Sequence, residues 1–385
     1  MCDVKACRRP DVRARTVTGS MRTECSVRIR RMRRAMRCFA ILLAIVMVNA
    51  SWLPPGQASS PPAISGYTQT TWVNSGWGSD AIALRRAKLM VSWNPSSFWS
   101  AGVQFFYAYN NGSVTDNRLW VKEVTVRRRL GAGWISLGQF KPEFGLEEIT
   151  SDALLPTIER TQVSDHLAPD GGLRRSFKRD LGGQWQGHFS RGAWQLTLGM
   201  FSGNGALPES AAGNGPLFTA RLVRQWRFRQ GSRAQFGLSA STRHDHDIDF
   251  SGALPGTSAL GTNRFRGQDT RWNLQAAADL GHWQARAEFT EAFFNGQGVR
   301  SIQARGWYIE GADRFTRRWE AVIRQESFIP RAGVDSPHDV GWTTAGVNWM
   351  INRQFDEVRF DYTVRREVPG STGPNLLAIE VQHYW

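Results

Sequence analysis

Cysteine is confined to the beginning of this sequence. The 385 residues include four cysteines, Cys2, Cys7, Cys25 and Cys38. The rest of the chain can therefore form no disulfide framework and no thiolate metal site, and it offers no cysteine nucleophile.

Lysine is scarce after residue 58. Only Lys88, Lys122, Lys141 and Lys178 occur there, and the other basic residues are arginines. The whole chain has a net charge of +15, which by itself suggests a nucleic-acid-binding protein. Residues 1–58, however, hold 12 basic and three acidic residues, which leaves the remainder with a net charge of only +6. We therefore expect no nucleic-acid partner.

Long hydrophobic runs are missing. The run CFAILLAIVMV (38–48) has about half of the roughly 20 residues that a helix needs to cross a bilayer. It follows the basic segment RIRRMRRAMR (28–37) and precedes the small residues of GQA (56–58), an order typical of a secretory signal peptide. We predict that 1–58, an N-terminal extension and signal peptide, is removed and that 59–385 is the mature protein. The alternative is an uncleaved membrane anchor.

A helical pattern of hydrophobic residues is also missing after residue 58. No segment there keeps apolar residues at a 3.6-residue period, whereas many alternate apolar and polar residues, as β-strands do. In HWQARAEFTEAFF (282–294), for example, one face of the strand is apolar and the other is charged. We predict sixteen strands, at 64–72, 83–93, 98–110, 118–130, 133–140, 179–189, 193–202, 219–228, 234–243, 269–280, 282–294, 301–312, 318–328, 339–351, 356–368 and 375–385.

The connections between these strands alternate in length. Those after even-numbered strands are short, as in GA (131–132), whereas those after odd-numbered strands are often long, as in 141–178. Together with a final strand that ends in VQHYW, this alternation is typical of outer-membrane barrels, whose closure leaves no unpaired strand edge. The predicted fold class is therefore all-β: a 16-stranded antiparallel transmembrane β-barrel in the outer membrane of a Gram-negative bacterium. A soluble β-sandwich or β-propeller is the alternative.

The two faces of such a barrel have different surroundings. The apolar outer face would contact outer-membrane lipid and lipopolysaccharide, with aromatic residues near the strand ends at the membrane interfaces. The charged inner face would contact water in the lumen.

One segment resembles a known family. GQFKPEFGLEEITSDALLPTIER (138–160), followed by LAP and RDLGGQWQG, is similar to the signature region of the phosphate-selective porins, also called the O and P porins. The matching positions are Phe140, Lys141, Phe144, Gly145, Leu146, Glu147, Thr150, Ser151, Glu159, Arg160, Arg179, Asp180 and Gly182. The resemblance implies a trimeric outer-membrane channel, often anion-preferring, in which luminal arginines pass anions to a narrow constriction that contains lysine. It also implies that the third external loop, here 141–178, folds into the barrel as a constriction loop.

Several basic residues are candidates for an anion path through the lumen. Strand alternation assigns seven of them to the inner face: Arg86, Lys88, Arg127, Arg227, Arg286, Arg305 and Arg324. Arg305 shares its face with Trp307. Two more lie in the family-like segment: Lys141, the candidate for the constriction, and Arg179. Arginine suits an oxyanion path because its planar fork donates two parallel hydrogen bonds and stays protonated.

These cations also have a purely structural interpretation. They could pair with acidic residues that alternation places on the same inner faces: Glu123, Asp279, Glu288, Glu320, Glu326 and Asp361. Lys141 could likewise be an ordinary solvent-facing loop residue.

Signals for other chemistry are weak. RHDHDID (243–249) places His244 and His246 among aspartates that could bind a divalent cation, but we assign it to the fifth external loop, where charged tips are common, and predict no metal site. SGNGAL (202–207) and AGNGPL (212–217) have no following helix and no GK[ST], so they indicate turns rather than phosphate cradles. There is no GxSxG motif, and we expect neither an enzyme nor a cofactor. A barrel lipase is the enzymatic alternative.

The functional prediction is a passive outer-membrane channel for small hydrophilic solutes that prefers anions such as phosphate. The alternative is a general or sugar-passing diffusion porin with little charge selectivity. A barrel without a channel, such as an adhesin or a structural protein, is the remaining class.

Overall fold

Strands account for nearly all regular structure in the described part of this chain, for which the structure is a computed structural model. The described residues are 61–74, 80–110, 117–169, 178–206, 214–228, 231–249, 254, 264–296, 301–332, 339–352, 356–368 and 374–385. They belong to one unit, Ala58–Trp385. The predicted extension and signal peptide, and residues 170–177 of the predicted constriction loop, lie outside the described part of the chain.

Sixteen strands and two short helices form within the described ranges. The strands are β1 (Ala63–Asn74), β2 (Asp80–Ser96), β3 (Trp99–Tyr109), β4 (Leu119–Leu130), β5 (Gly133–Phe140), β6 (Asp180–Phe189), β7 (Trp194–Phe201), β8 (Leu217–Arg227), β9 (Arg233–Asp249), β10 (Arg264–Leu280), β11 (Trp283–Gly296), β12 (Ile302–Asp313), β13 (Trp319–Ile329), β14 (Asp339–Met350), β15 (Asp356–Val368) and β16 (Leu376–Tyr384). The helices, α1 (Leu146–Ile149) and α2 (Gln162–Leu167), lie between β5 and β6. With four and six residues, they are too short to show a helical hydrophobic period in the sequence.

The strands close into one antiparallel barrel. Each strand pairs with its neighbours in the sequence, and β1 pairs with β16. At this closure Gly66 and Trp385 exchange two backbone hydrogen bonds of 3.0 Å. A Cβ on Gly66 would lie 2.5 Å from Cζ2 of Trp385, so only glycine leaves room for the terminal ring. The predicted 16-stranded antiparallel barrel is confirmed.

The two faces of the barrel differ in chemistry. On β12, Tyr308 and Glu310 are buried, whereas Trp307 and Ile309 are exposed, and the same alternation recurs around the sheet. The buried set contains most of the luminal carboxylates and arginines, and the exposed set is rich in leucine, isoleucine, phenylalanine and tryptophan. Arg305 belongs to the exposed face with Trp307, so the prediction that it lines the lumen is wrong. The polar face therefore encloses the lumen and the apolar face forms the outside.

Several strands are longer than their apolar alternation indicates. β9 continues to Asp249 and β10 begins at Arg264, so His244 and His246 lie on a strand and the prediction of a loop there is wrong. Backbone pairing continues past Arg243 through a largely polar stretch, in which hydrophobic alternation cannot detect the strand. Among the described residues, no group of three or more possible metal-ligating side chains is found.

No helix in the described part of the chain is long and apolar enough to span a bilayer.

Candidate functional site in the barrel lumen

The segment between β5 and β6 turns across the lumen. We call its residues 141–169 the inner segment. The backbone leaves β5 at Phe140 and takes a left-handed conformation at Gly145, with φ of 72°, immediately before α1. A Cβ at Gly145 would also lie 2.9 Å from Oε2 of Glu288 on β11. A side chain at this position would therefore be strained and would push the segment away from the wall.

Glu288 is the first anchor of the inner segment. Its carboxylate accepts the backbone N–H groups of Leu146 at 2.8 Å and Glu147 at 2.5 Å, two donors that the start of α1 leaves free. It also accepts from the Tyr308 hydroxyl at 2.8 Å and from Nδ2 of Asn273 at 2.9 Å. One buried wall carboxylate thus satisfies the first turn of the helix.

A second group of anchors holds the middle of the segment. Asp361 on β15 accepts the N–H of Ile158 at 2.7 Å. Nδ2 of Asn348 donates to Pro156 O at 2.8 Å, and Nη2 of Arg359 donates to Ala153 O at 3.0 Å. Side chains of β14 and β15 therefore replace the water that a surface loop would bind.

The third anchor is apolar. Val163 and Leu167 of α2 belong to one buried cluster with Phe265, Phe294 and Phe328, which lie on β10, β11 and β13. Nη1 of Arg271 on β10 donates to Leu167 O and Ala168 O, both at 3.0 Å. These contacts hold residues 146–168 against the inner faces of β10 to β15.

A cavity of about 710 Å³ remains on the other side of the inner segment. Its wall is formed by β1 to β4 and by the segment itself. Seven cationic side chains line it: Arg85, Arg86, Lys122, Lys141, Arg160, Lys178 and Arg179. Four carboxylates line it as well: Glu148, Asp152, Glu159 and Asp165. The described lining is therefore net positive.

Two β-bulges add cations to this cavity. In the pairing of β1 with β2, Gln69 lies opposite Arg86 and Thr70 opposite Leu84, which leaves Arg85 as an extra residue. In the pairing of β3 with β4, Gln104 lies opposite Glu123 and Phe105 opposite Val121, which leaves Lys122 as an extra residue. A bulge redirects a side chain that strict alternation would place on the opposite face. Arg85 and Lys122 both line the cavity for this reason.

The carboxylates of the inner segment contact the cavity cations directly. Asp152 lies 2.7 Å from Nζ of Lys88, 2.7 Å from Nη2 of Arg160 and 3.6 Å from Nε of Arg86. Glu148 lies 2.7 Å from Nζ of Lys141.

Further ion pairs extend the network, including one of 3.1 Å between Lys178 and Asp165. Lys178 lies 2.8 Å from Glu148, Arg179 lies 2.7 Å from Glu123 on β4, and Arg85 pairs with Glu159 through both guanidinium nitrogens. The network joins β2, β4 and the inner segment around the opening.

Burial and charge shift the pKa values within the inner segment. Burial lowers the pKa of Lys141 to about 7, and the cations Arg179 and Arg160 act in the same direction against Glu148. Burial alone would raise the pKa of Asp152, but Arg86, Lys88 and Arg160 hold it well below its usual range. The cavity thus contains an aspartate that stays ionised and a lysine that titrates near neutral pH.

The predicted residues fall into four places. Arg86, Lys141 and Arg179 line the cavity, and Lys88 lies beside it through Asp152. Arg127 and Arg227 lie on the inner face near the short-turn end of the barrel, since Arg127 pairs with the buried Ser136 and Arg227 follows Arg221 and Val223 in alternation. Arg286 and Arg324 face the lumen on the opposite wall, and Arg305 lies outside.

Arg324 points into the barrel but does not line the cavity. It is 2% exposed, and its Nη1 donates to Thr157 Oγ1 at 2.5 Å and to Glu159 O at 2.8 Å. The inner segment therefore covers it.

The prediction missed several cations near the lumen, namely Arg85, Lys122, Arg160 and Lys178 in the cavity lining and the buried Arg221, Arg243 and Arg271. The bulges hide the first two from alternation. The scarcity of lysine was the available signal, because Lys122, Lys141 and Lys178 all line the cavity and Lys88 contacts its edge. That these cations form an anion path stays a prediction.

Several solved structures of low sequence identity have the same fold. OmpF of Salmonella typhi in complex with daunomycin is 11% identical, covers 85% of this chain and 100% of its own, and has a TM-score of 0.58. OmpT of Vibrio cholerae, folded in vitro and in a trimer form, is 11% identical over 85% of this chain and 100% of its own, with a TM-score of 0.58. The outer-membrane channel DcaP of Acinetobacter baumannii is 10% identical over 84% and 97%, with a TM-score of 0.55. These similarities concern the fold.

Comparison with curated protein sequences gives no significant match. Residues 73–367, in contrast, match the profile of the family described as phosphate-selective porin O and P. The match spans most of the chain and includes the inner segment and most of the wall of the cavity, so the predicted family is confirmed. The chain therefore belongs to the phosphate-selective porin O and P family and is a porin, a passive channel of the outer membrane of a Gram-negative bacterium.

Proposed function

We propose that this porin passes small hydrophilic solutes with a preference for anions such as phosphate. The observation that carries the proposal is the lining of the cavity, in which seven cationic side chains face four carboxylates. Basic side chains around a narrow opening lower the electrostatic barrier for an anion and raise it for a cation. The net charge of the opening therefore sets the preference.

The solute path extends beyond the cavity. Arg127 and Arg227 lie near the short-turn end, which we assign to the periplasm. They are exposed, so a hydrated anion can contact them without displacing a buried carboxylate. Lys141 and its neighbours then form the constriction.

A second function, diffusion with little charge selectivity, is favoured by the carboxylates. Asp152 contacts three cations, and Glu148 contacts two. If these pairs cancel the field of the lining, sugars and ions of either sign would pass alike. The two functions predict different reversal potentials.

The test is single-channel recording of the purified protein in planar bilayers under a salt gradient. We expect a reversal potential close to the equilibrium potential of the anion, and inorganic phosphate should reduce the chloride current. Lys141→Glu should move the reversal potential toward cations at pH 6, where Lys141 is mostly charged and the substitution changes the charge of the lining by about two units. A potential near zero in the wild type would instead identify the unselective porin.

Arg266→Glu is the matched control for that substitution. Arg266 is exposed near the external end of β10 and does not line the cavity. Charges in water are screened over about 8 to 10 Å at physiological ionic strength, so its effect should be smaller. Equal shifts in the two variants would contradict a constriction at Lys141.

We also propose that the protein is a homotrimer, as the family resemblance implies and as OmpT of Vibrio cholerae was found in one form. Its outer face would contact outer-membrane lipid and, in the external leaflet, lipopolysaccharide. An unboiled sample should migrate as a heat-modifiable trimer on a denaturing gel. Migration of the unboiled protein at monomer mass would contradict the trimer.

The mature chain is proposed to begin near Ser59. N-terminal sequencing of the outer-membrane fraction tests this, and recovery of a chain that retains residues 28–48 would contradict it.

A further inference from the structure

The short-turn end of the barrel is unequally charged around its circumference. The turn regions 126–136, 186–196 and 223–236 contain arginine but no aspartate or glutamate. The short-turn regions after β10, β12 and β14 carry carboxylates, among them Asp313 and Asp356, which pair with histidines at 2.6 Å and 2.5 Å. The turn between β2 and β3 has no charged residue. One sector of the rim, from β4 to β9, is therefore basic, and the rest is mixed. A girdle of aromatic residues alone does not explain this asymmetry.

Within this sector one arginine lies between two tryptophans on the outer face. Arg224 on β8 is directly opposite Trp194 on β7, and Trp226 follows on the same face of β8. Its guanidinium carbon lies 5.2 Å from the ring centroid of Trp194 and 5.6 Å from that of Trp226. Trp194 and Trp226 are 38% and 41% exposed on the apolar side of the barrel. The cation is thus held at the membrane face, near the strand end.

The same arrangement occurs a second time. Arg128 on β4 is directly opposite Trp99 on β3, and its guanidinium carbon lies 5.1 Å from the tryptophan ring. Arg128 faces outward, because its neighbour Arg127 shares the luminal face with Ser136. In the described part of the chain, no carboxylate forms an ion pair with Arg128 or Arg224. Both guanidinium groups keep their hydrogen-bond donors available.

The geometry points to a binding site for anionic phospholipid in the periplasmic leaflet. We propose that Arg224, stacked between Trp194 and Trp226, and Arg128, stacked on Trp99, each bind a headgroup phosphate. Indole rings favour the interfacial level of a bilayer, and stacking on them fixes the plane of the guanidinium fork. The fork matches two phosphate oxygens, and the basic sector attracts lipids with a net negative charge. The inference is independent of the anion preference of the lumen.

Native mass spectrometry of the delipidated trimer tests the site. The protein in detergent is titrated with phosphatidylglycerol and, separately, with zwitterionic phosphatidylethanolamine. We expect tighter binding of phosphatidylglycerol, and Arg224→Gln should weaken it about fivefold, the factor expected for one basic residue near an anionic lipid surface. Arg128→Gln should act similarly, and the double variant more strongly. Binding of phosphatidylethanolamine should change less.

Arg227→Gln is the matched control. Arg227 lies on the same strand three residues away but on the luminal face, so its removal should leave lipid binding unchanged. The heat-modifiable band of each variant checks that the barrel has folded. Arg224→Lys provides a second variant: it keeps the charge but loses the planar fork, and we expect an intermediate affinity.

Any one of the following results would overturn the proposal. They are equal affinity for the two lipids, an unchanged affinity in both glutamine variants, an equal loss in Arg227→Gln, and displacement of phosphatidylglycerol by millimolar inorganic phosphate. The last result would identify a free-anion site instead of a lipid site. Dissociation of the trimer in Arg224→Gln with unchanged lipid binding would assign the surface to contact between copies and would equally overturn it.

Discussion

The two walls of the lumen use the same residue types in opposite ways. On the wall of β10 to β15, arginines and carboxylates are buried beneath the inner segment and hold its backbone, as Arg271 and Glu288 do. On the wall of β1 to β4, arginines and lysines face a cavity of about 710 Å³. A luminal arginine is therefore a structural clamp on one wall and a candidate for solute contact on the other.

The difference arises from what covers each wall. Val163 and Leu167 pack into the apolar cluster on the first wall, which excludes water there and leaves each buried charge dependent on its partners. The second wall has no such cover in the described structure, and Asp152 and Glu159 of the inner segment reach across the cavity to its cations Arg85, Arg86 and Lys88. Charge on the first wall should therefore control stability, and charge on the second wall should control selectivity.

The strongest test removes the element that separates the two walls. Deleting residues 150–168 should raise the single-channel conductance severalfold, because the cavity loses one side and four of its lining residues. Anion preference should weaken, because the remaining cations then act across a wider, water-filled opening. The barrel should still assemble, since the strands pair with one another independently of this segment. A deletion of residues 334–337 between β13 and β14 is the control. Unchanged conductance would mean that the inner segment does not limit the path.

Replacing one cation on each wall should change a different property of the protein: stability for the first wall and selectivity for the second. Arg324→Gln leaves Glu326 and Glu147 without their buried partner, a loss that typically costs about 3 to 5 kcal/mol. The heat-modification temperature should fall, with little shift in reversal potential. Lys122→Gln should shift the reversal potential and leave the heat-modification temperature nearly unchanged, because it removes one cation from the cavity lining. If both variants changed the same property, the two walls would not differ in role.

Neutralising a carboxylate on the cavity side should increase anion preference. Asp152→Asn frees Lys88, Arg86 and Arg160 from their shared partner and raises the net charge of the site by one. The reversal potential should move further toward anions, and phosphate should reduce the chloride current at lower concentration. Asp279→Asn, which disrupts only the rim pair with Arg233, is the control. A larger effect of the control would contradict the assignment.

The smallest expected effect is the pH dependence of the constriction. Because the pKa of Lys141 is about 7, this side chain is mostly charged at pH 6 and mostly neutral at pH 8. Anion preference should therefore decrease as the pH rises through this interval, as measured by the reversal potential. Lys141→Arg should abolish the change, since arginine stays protonated. The same pH profile in both proteins would exclude Lys141 as its source.

Much of the barrel could be predicted because its signal is local. Alternation of apolar and polar residues, short turns such as GA (131–132) and the terminal aromatic residues identify strands whichever part of the barrel they occupy. The same rule identified the inner faces of Arg86, Lys88 and Arg324. It was wrong for Arg305. Gln303 and Arg305 are polar residues on the outer face of the strand, and only Trp307 and Ile309 mark that face as apolar.

Contacts that join distant parts of the chain could not be predicted in this way. The number of strands and the chemistry of their two faces follow from the sequence, because a period of two depends only on neighbouring residues. The pairing order follows from the short and long connections. Only the tertiary structure decided that Arg324 is covered, that bulges turn Arg85 and Lys122 into the cavity, and that the four lysines meet around one opening. Each of these depends on register and on the path of residues 141–169 across the lumen, which are set by partners such as Glu288, more than 140 residues away in the sequence.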